Sequence, residues 1–214
     1  MEIHAYYDAY LGNAQNTMGN MMDYAINTCG MDGDDYFHMF LASHAVGQME
    51  RGNPRYVSGM TGAEIVKEVV AEIKGIELTD TEEYFLDKSP EYWCGWILAY
   101  YQWRSCMSFR KIYQIITIED LLCMYPTHHE ADVEYFVSSM REIYKRKHKE
   151  TYLKRRMVNL GVDASEVSRN TGIPVDMISA LETDFSRIQK IETEQLFVLS
   201  KFFGCSMEDL MEYR

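Results

Sequence analysis

The sequence predicts an all-α protein: an N-terminal helical bundle domain over residues 1–148, then a five-helix domain over residues 151–214. Three observations carry this expectation. Met, Tyr, Glu and Ala are plentiful and β-branched runs scarce, a bias toward helix over strand. Apolar residues recur at helical spacing, with capping residues ahead of several of the runs. The 214 residues exceed the usual domain of about 100–150, which favours two unequal units. With 47% hydrophobic and 25% charged residues, the composition is that of a folded chain rather than a disordered one.

The first helix is read over Ile3 to Asn27, from Tyr7, Leu11, Met18, Met22 and Ile26, and Cys29-Gly30-Met31-Asp32-Gly33-Asp34 breaks it. The second, Asp34 to Met49, carries Phe37, Phe40, Leu41, His44 and Ala45 on one face and ends at Gly52-Asn53-Pro54. Thr61 and Glu64 form a capping box for Thr61 to Lys74, where Ile65, Val69 and Ile73 make an i, i+4, i+8 stripe. Ser89-Pro90-Glu91 supplies an N-cap, a proline at the first helical position and a first-turn acid for an aromatic-rich helix to about Cys106. Two shorter helices follow, Phe109 to Ile115 and Ile118 to Met124, the latter capped by Thr117 and stopped by Pro126. Thr127 with Glu130 fits a second capping box before Asp132 to Lys147. Past the basic run Lys145-Arg146-Lys147-His148-Lys149, five short helices are placed: Tyr152 to Asn159, Ala164 to Asn170, Val175 to Leu181, Thr193 to Phe203, and Met207 to Glu212.

Charge separates the two domains. Of 21 basic and 33 acidic residues, Lys145 to Arg214 holds 12 and 11, leaving 9 and 22 for the N-terminal part. The net charge of −12 is therefore N-terminal, and only the C-terminal part is suited to nucleic acid. The first ten residues lack a basic start and an apolar stretch, and no run of about 18 apolar residues occurs, so a cytoplasmic location without membrane contact is expected. Cys29, Cys94, Cys106, Cys123 and Cys205 are odd in number and widely spaced, and are read as reduced core thiols.

In the C-terminal segment, Leu160-Gly161 closes one helix, Asp163 with Glu166 caps the next, and Asn170-Thr171-Gly172-Ile173 makes a short turn into a third. This is a helix-turn-helix layout, in which the second helix of the pair enters the major groove. The run from Tyr152 to Gly161, Ser165-Glu-Val-Ser168, Gly172-Ile173, Ile178-Ser-Ala-Leu-Glu182 and Leu196 to Leu210 resembles the Xre/Cro family of DNA-binding regulators. The resemblance implies double-stranded operator DNA as partner, a homodimer, and phosphate contacts from Lys154, Arg155, Arg156, Arg169, Arg187 and Lys190, with Ser165 beside the backbone. It places Val175, Asp176, Met177 and Ser179 toward base edges. The family commonly opens its second helix with glutamine, and here Ala164 stands there. Its recognition helix commonly offers polar donors, whereas Val175 and Met177 suit thymine methyls and Asp176 can only accept, as from cytosine.

Tyr84-Phe85, Tyr92, Trp93, Trp96, Tyr100, Tyr101 and Trp103 are read chiefly as core, with Tyr101 or Trp103 as an outward partner-binding anchor in the alternative reading. His128-His129-Glu130 with Asp132 raises a metal site, but adjacent histidines diverge by about 100° on a helix, and no metal or other cofactor is expected. Asp32-Gly33-Asp34-Asp35 lacks the downstream acid of a calcium loop and is read as a turn and N-cap. No phosphate-cradling loop, nucleophile elbow or metalloprotease signature is present, so no enzyme is predicted. The stretch Ser89 to Trp103 is similar to the N-terminal domain of a group of Firmicute helix-turn-helix proteins found beside candidate toxin genes. The leading expectation is thus a transcriptional regulator whose acidic domain binds a protein, a plan that an antitoxin repressing its own operon would fit. The alternative is an interaction or scaffold protein whose helix-turn-helix fold no longer reads DNA.

Overall fold

A computed structural model describes residues 4–79, 88–147, 150–188 and 190–211, without the side chains of residues 185 and 186. All regular structure among the described residues is helical, and the chain divides into two compact units, Met1–Ile143 and Tyr144–Arg214. The expected Tyr84-Phe85 pair lies outside the described residues.

The N-terminal unit is built on the crossing of α1 (Leu11–Asp23) and α5 (Pro90–Ser105). Glycine lets these backbones touch. A Cβ on Gly95 would stand 2.0 Å from the Met18 carbonyl oxygen, and one on Gly62 would stand 2.3 Å from the Met21 nitrogen. Gly62 opens α4 (Gly62–Lys74), which is capped by the expected Thr61–Glu64 box and buries Ile65, Val66, Val69 and Val70. Met18, Met21 and Met22 of α1 fill the centre, with Phe37 and Phe40 from α2 (Gly33–Ala42).

Several boundaries differ from expectation for physical reasons. The first helix begins at Leu11 after a 3-10 turn, and Tyr7, placed on its inner face, is 73% exposed. The single helix expected over Asp34 to Met49 breaks at Ser43 into α2 and α3 (His44–Glu50). Ser43 turns back to the Phe40 carbonyl, and Glu72 of α4 takes the His44 N–H at 3.0 Å. After α6 (Phe109–Ile115), α7 (Ile118–His128) runs through Pro126 instead of stopping. Proline in a helix interior costs about 3 kcal/mol. Here Tyr125 is anchored edge-on to Trp93, and the Thr127 hydroxyl donates to the Met124 carbonyl at 3.1 Å. Thr127 therefore caps nothing, and Asp132 opens α8 (Val133–Lys147) by accepting from the Glu134 N–H at 2.8 Å.

The reading of the cysteines as core thiols fits buried Cys94 and half-buried Cys205, which packs against the C-terminal core, but not exposed Cys106 and Cys123. Cys29 is half-buried. Cys106 sits at the left-handed C-cap of α5, φ 56°. The partner-anchor reading of Tyr101 and Trp103 is overturned. They are 0% and 7% exposed: Tyr101 packs edge-on against Phe136, and the N-terminal segment lies over Trp103, where Ala5 N–H donates to the Trp103 carbonyl, Trp103 Nε1–H donates to the Tyr6 carbonyl, and the His4 ring lies tilted at 3.6 Å from the indole.

In the C-terminal unit the segments are α9 (Tyr152–Leu160), α10 (Ala164–Thr171), α11 (Val175–Thr183), α12 (Phe185–Ile188), α13 (Thr193–Phe203) and α14 (Met207–Met211). The five expected helices are present, and α12 is an addition, a single turn too short for any periodicity to announce. Leu153, Met157, Val167, Ile173, Ile178, Leu181, Leu196, Leu199, Phe203 and Leu210 close one apolar core.

Candidate nucleic-acid interface

The tight turn between α10 and α11 follows from its residues. Asp163 accepts from the Glu166 N–H at 2.8 Å and starts α10. Gly172, at φ 75°, ends it in the left-handed region that favours glycine. Thr171 locks the corner: its hydroxyl donates to the Val167 carbonyl at 2.7 Å and accepts from the Ile173 N–H at 3.3 Å. Pro174 then precedes α11 at its N-cap position. Val167, Ile173, Ile178 and Leu181 bury the inner faces of both helices.

That burial turns the outer face of α11 to solvent. Pro174, Val175, Asp176, Met177 and Ser179 are exposed, Val175 by 43% and Met177 by 37%. On α10, Ser165 and Arg169 are exposed, and so is Lys190 after α12. The exposed side chains of α11 are thus apolar, hydroxyl-bearing or, at Asp176, acidic, and the exposed cations Arg169 and Lys190 belong to α10 and to the segment after α12, while α11 itself carries no Lys or Arg.

Of the remaining basic residues named from the sequence, Lys154 and Arg156 are engaged inside the unit. Lys154 Nζ donates to Glu182 Oε2 at 2.5 Å, and this bond raises the ammonium pKa. Arg156 donates through Nη2 to the Phe203 carbonyl, where the last carbonyls of α13 lack helical partners. Its Nε is buried with no hydrogen-bond partner among the described residues. Arg156 therefore acts as a clamp on α13, correcting its reading as a phosphate contact. Arg155 donates to the Glu150 carbonyl at 3.0 Å, and Arg187 pairs with Asp184 at 3.3 Å on an exposed surface. Ala164, where the family commonly has glutamine, packs against the core.

Thr151 went unnoticed in the sequence although it is fully buried. Its hydroxyl accepts from the Lys154 N–H and donates to the Glu182 carbonyl, tying the start of α9 to the end of α11. A threonine three residues before Lys154 was the available signal for an N-cap.

In the N-terminal unit, His128 Nε2 lies 3.1 Å from the Ser139 hydroxyl and His129 stacks on Tyr125 at 4.3 Å. Among the described residues no group of three or more His, Cys, Asp or Glu is gathered for a metal ion. No described helix is long and apolar enough to cross a membrane.

Comparison with known families decides the character of the C-terminal unit. Residues 152–214 match the Cro/C1-type helix-turn-helix DNA-binding domain. No curated protein and no solved structure matches the chain. The Cro/C1-type match covers the α9–α14 segment, including the exposed face of α11.

Proposed function

We propose that the protein is a homodimeric transcriptional regulator in which the Cro/C1-type unit binds operator DNA and the acidic unit binds a protein partner. The observation that carries this reading is the exposed α11 face on a tight α10–α11 turn, within a segment matching a DNA-binding domain family. α11 presents Val175, Asp176, Met177 and Ser179 to base edges, with Arg169 and Lys190 and the exposed Arg187 reaching the phosphates. Ser165 stands at the phosphate side of α10. The concentration of negative charge before Tyr144 suits a basic partner surface. An antitoxin fits both halves: its acidic unit covers a basic toxin while its other unit represses the shared operon.

The test is a gel shift of the full chain on the DNA upstream of its own gene, with co-purification of the neighbouring gene product. Retardation of the upstream fragment over unrelated DNA supports the regulator. A neighbour that neither co-purifies nor is neutralised removes the antitoxin role and leaves the regulator standing.

One observation favours a second reading. α11 lacks any cation, and Lys154 and Arg156 are committed within the unit. A helix-turn-helix kept as a protein-docking module would show this pattern and would give no shift at low salt.

A further inference from the structure

The N-terminal unit carries an aromatic-walled cavity that DNA binding does not use. It has a volume of about 230 Å³ and opens beside the start of α5, with Tyr92, Trp93, Trp96 and Tyr125 in its lining. Drug-sized ligands occupy pockets of about 300–1,000 Å³, so this one suits a ligand of one or two fused rings.

Its open polar atoms are biased toward donors. Neither the Trp93 nor the Trp96 indole N–H has a hydrogen-bond partner among the described residues. Lys88 also lines the cavity, its ammonium 4.0 Å from the centre of the Tyr92 ring. No carboxylate is among the described lining residues. Two of the described acids near the start of α5 are engaged elsewhere: Asp23 accepts from Ser89 and Asn27, and Glu91 accepts from Asn27. The Ser89 hydroxyl also accepts from the Tyr92 N–H, and Lys88 is the one cationic side chain among the described lining residues. His129, stacked on Tyr125, holds that wall in place.

We infer that this cavity binds a small planar aromatic carboxylate, its rings packed on Trp93, Trp96 and Tyr125 and its carboxylate on Lys88. A flat ring system meets the aromatic walls by stacking or edge contact. A carboxylate supplies the acceptors that the ammonium and the indole N–H groups require. The proposal gives the acidic unit a small-molecule ligand in addition to its protein partner, and it stands independently of DNA binding.

The test is calorimetric titration of the full chain with three matched probes: 2-naphthoate, 2-naphthamide and 2-naphthylmethylammonium. A charge-assisted contact at Lys88 predicts that naphthoate binds about tenfold more tightly than the neutral amide. Lys88→Gln, at an exposed position, should erase that difference, and Trp96→Ala should weaken both probes. Equal affinity for all three, tightest binding of the cation, or no binding of naphthoate would each overturn the proposal.

Discussion

At the scale of single residues, a basic side chain near a helix-turn-helix is defined by what it already touches. Lys154 and Arg169 look alike in the sequence, yet one is bonded to Glu182 and the other is exposed. Arg169→Ala should therefore reduce the salt slope of DNA binding by about 1, while Lys154→Ala should leave the slope unchanged and lower the melting temperature. Salt-dependent binding isotherms and thermal unfolding of the two variants separate these effects. The exposed Val175 and Met177 make a second prediction. If they meet thymine methyl groups, replacing a contacted thymidine by deoxyuridine should weaken binding about fourfold per methyl, from about 0.8 kcal/mol for each buried carbon. Val175→Ser should remove that penalty at its own base pair. An operator indifferent to deoxyuridine at every position would rule out methyl readout while leaving DNA binding intact.

At the scale of helices, local caps were legible and distant ones were not. Thr61 with Glu64, Ser89 with Pro90, and Asp163 each announce a helix start within four residues, and the structure forms all three caps. The Ser43 break and the continuation through Pro126 depend on contacts far away in sequence, such as Glu72 on His44 and Trp93 on Tyr125. Asp34 shows the same principle. Its sequence context announces a turn and cap, and it accepts from Ile118 N–H at 2.8 Å, Glu119 N–H at 3.2 Å and the Tyr113 hydroxyl at 2.7 Å. Asp34→Ala should cost about 1–2 kcal/mol in denaturant unfolding, as the loss of a helix cap does. The same cluster sets a pH dependence. Burial and the bond to Asp34 raise the Tyr113 phenol pKa above its ordinary value of 10.0. The folded state therefore holds a proton that the unfolded state releases, and stability is lost as pH rises past about 10. Tyr113→Phe should lose less stability than the parent over that alkaline interval, as read by unfolding at a series of pH values.

At the scale of the whole molecule, charge and motif change together near residue 148, while the structure divides the chain between Ile143 and Tyr144, inside α8; the use of the aromatic helix was not legible. Aromatics on nearly every side of α5 indicate burial, but only the N-terminal segment folded over Trp103 decides that this end is covered. The α1–α5 contact at Gly95 predicts that Gly95→Ala destabilises the N-terminal unit by about 1–3 kcal/mol or more, since the neighbouring atoms belong to the backbone and cannot rotate aside. Unfolding of the full chain by denaturant should show that loss. The central claim concerns the other unit: that the exposed face of α11, flanked by Arg169 and Lys190, is a DNA-binding surface. Fluorescence-anisotropy titration of the full chain against its upstream fragment and an unrelated duplex, at two salt concentrations, tests it most directly. The account predicts tighter binding to the upstream fragment and a steep loss of affinity as salt rises. Absence of binding to either duplex at the lower salt would contradict it.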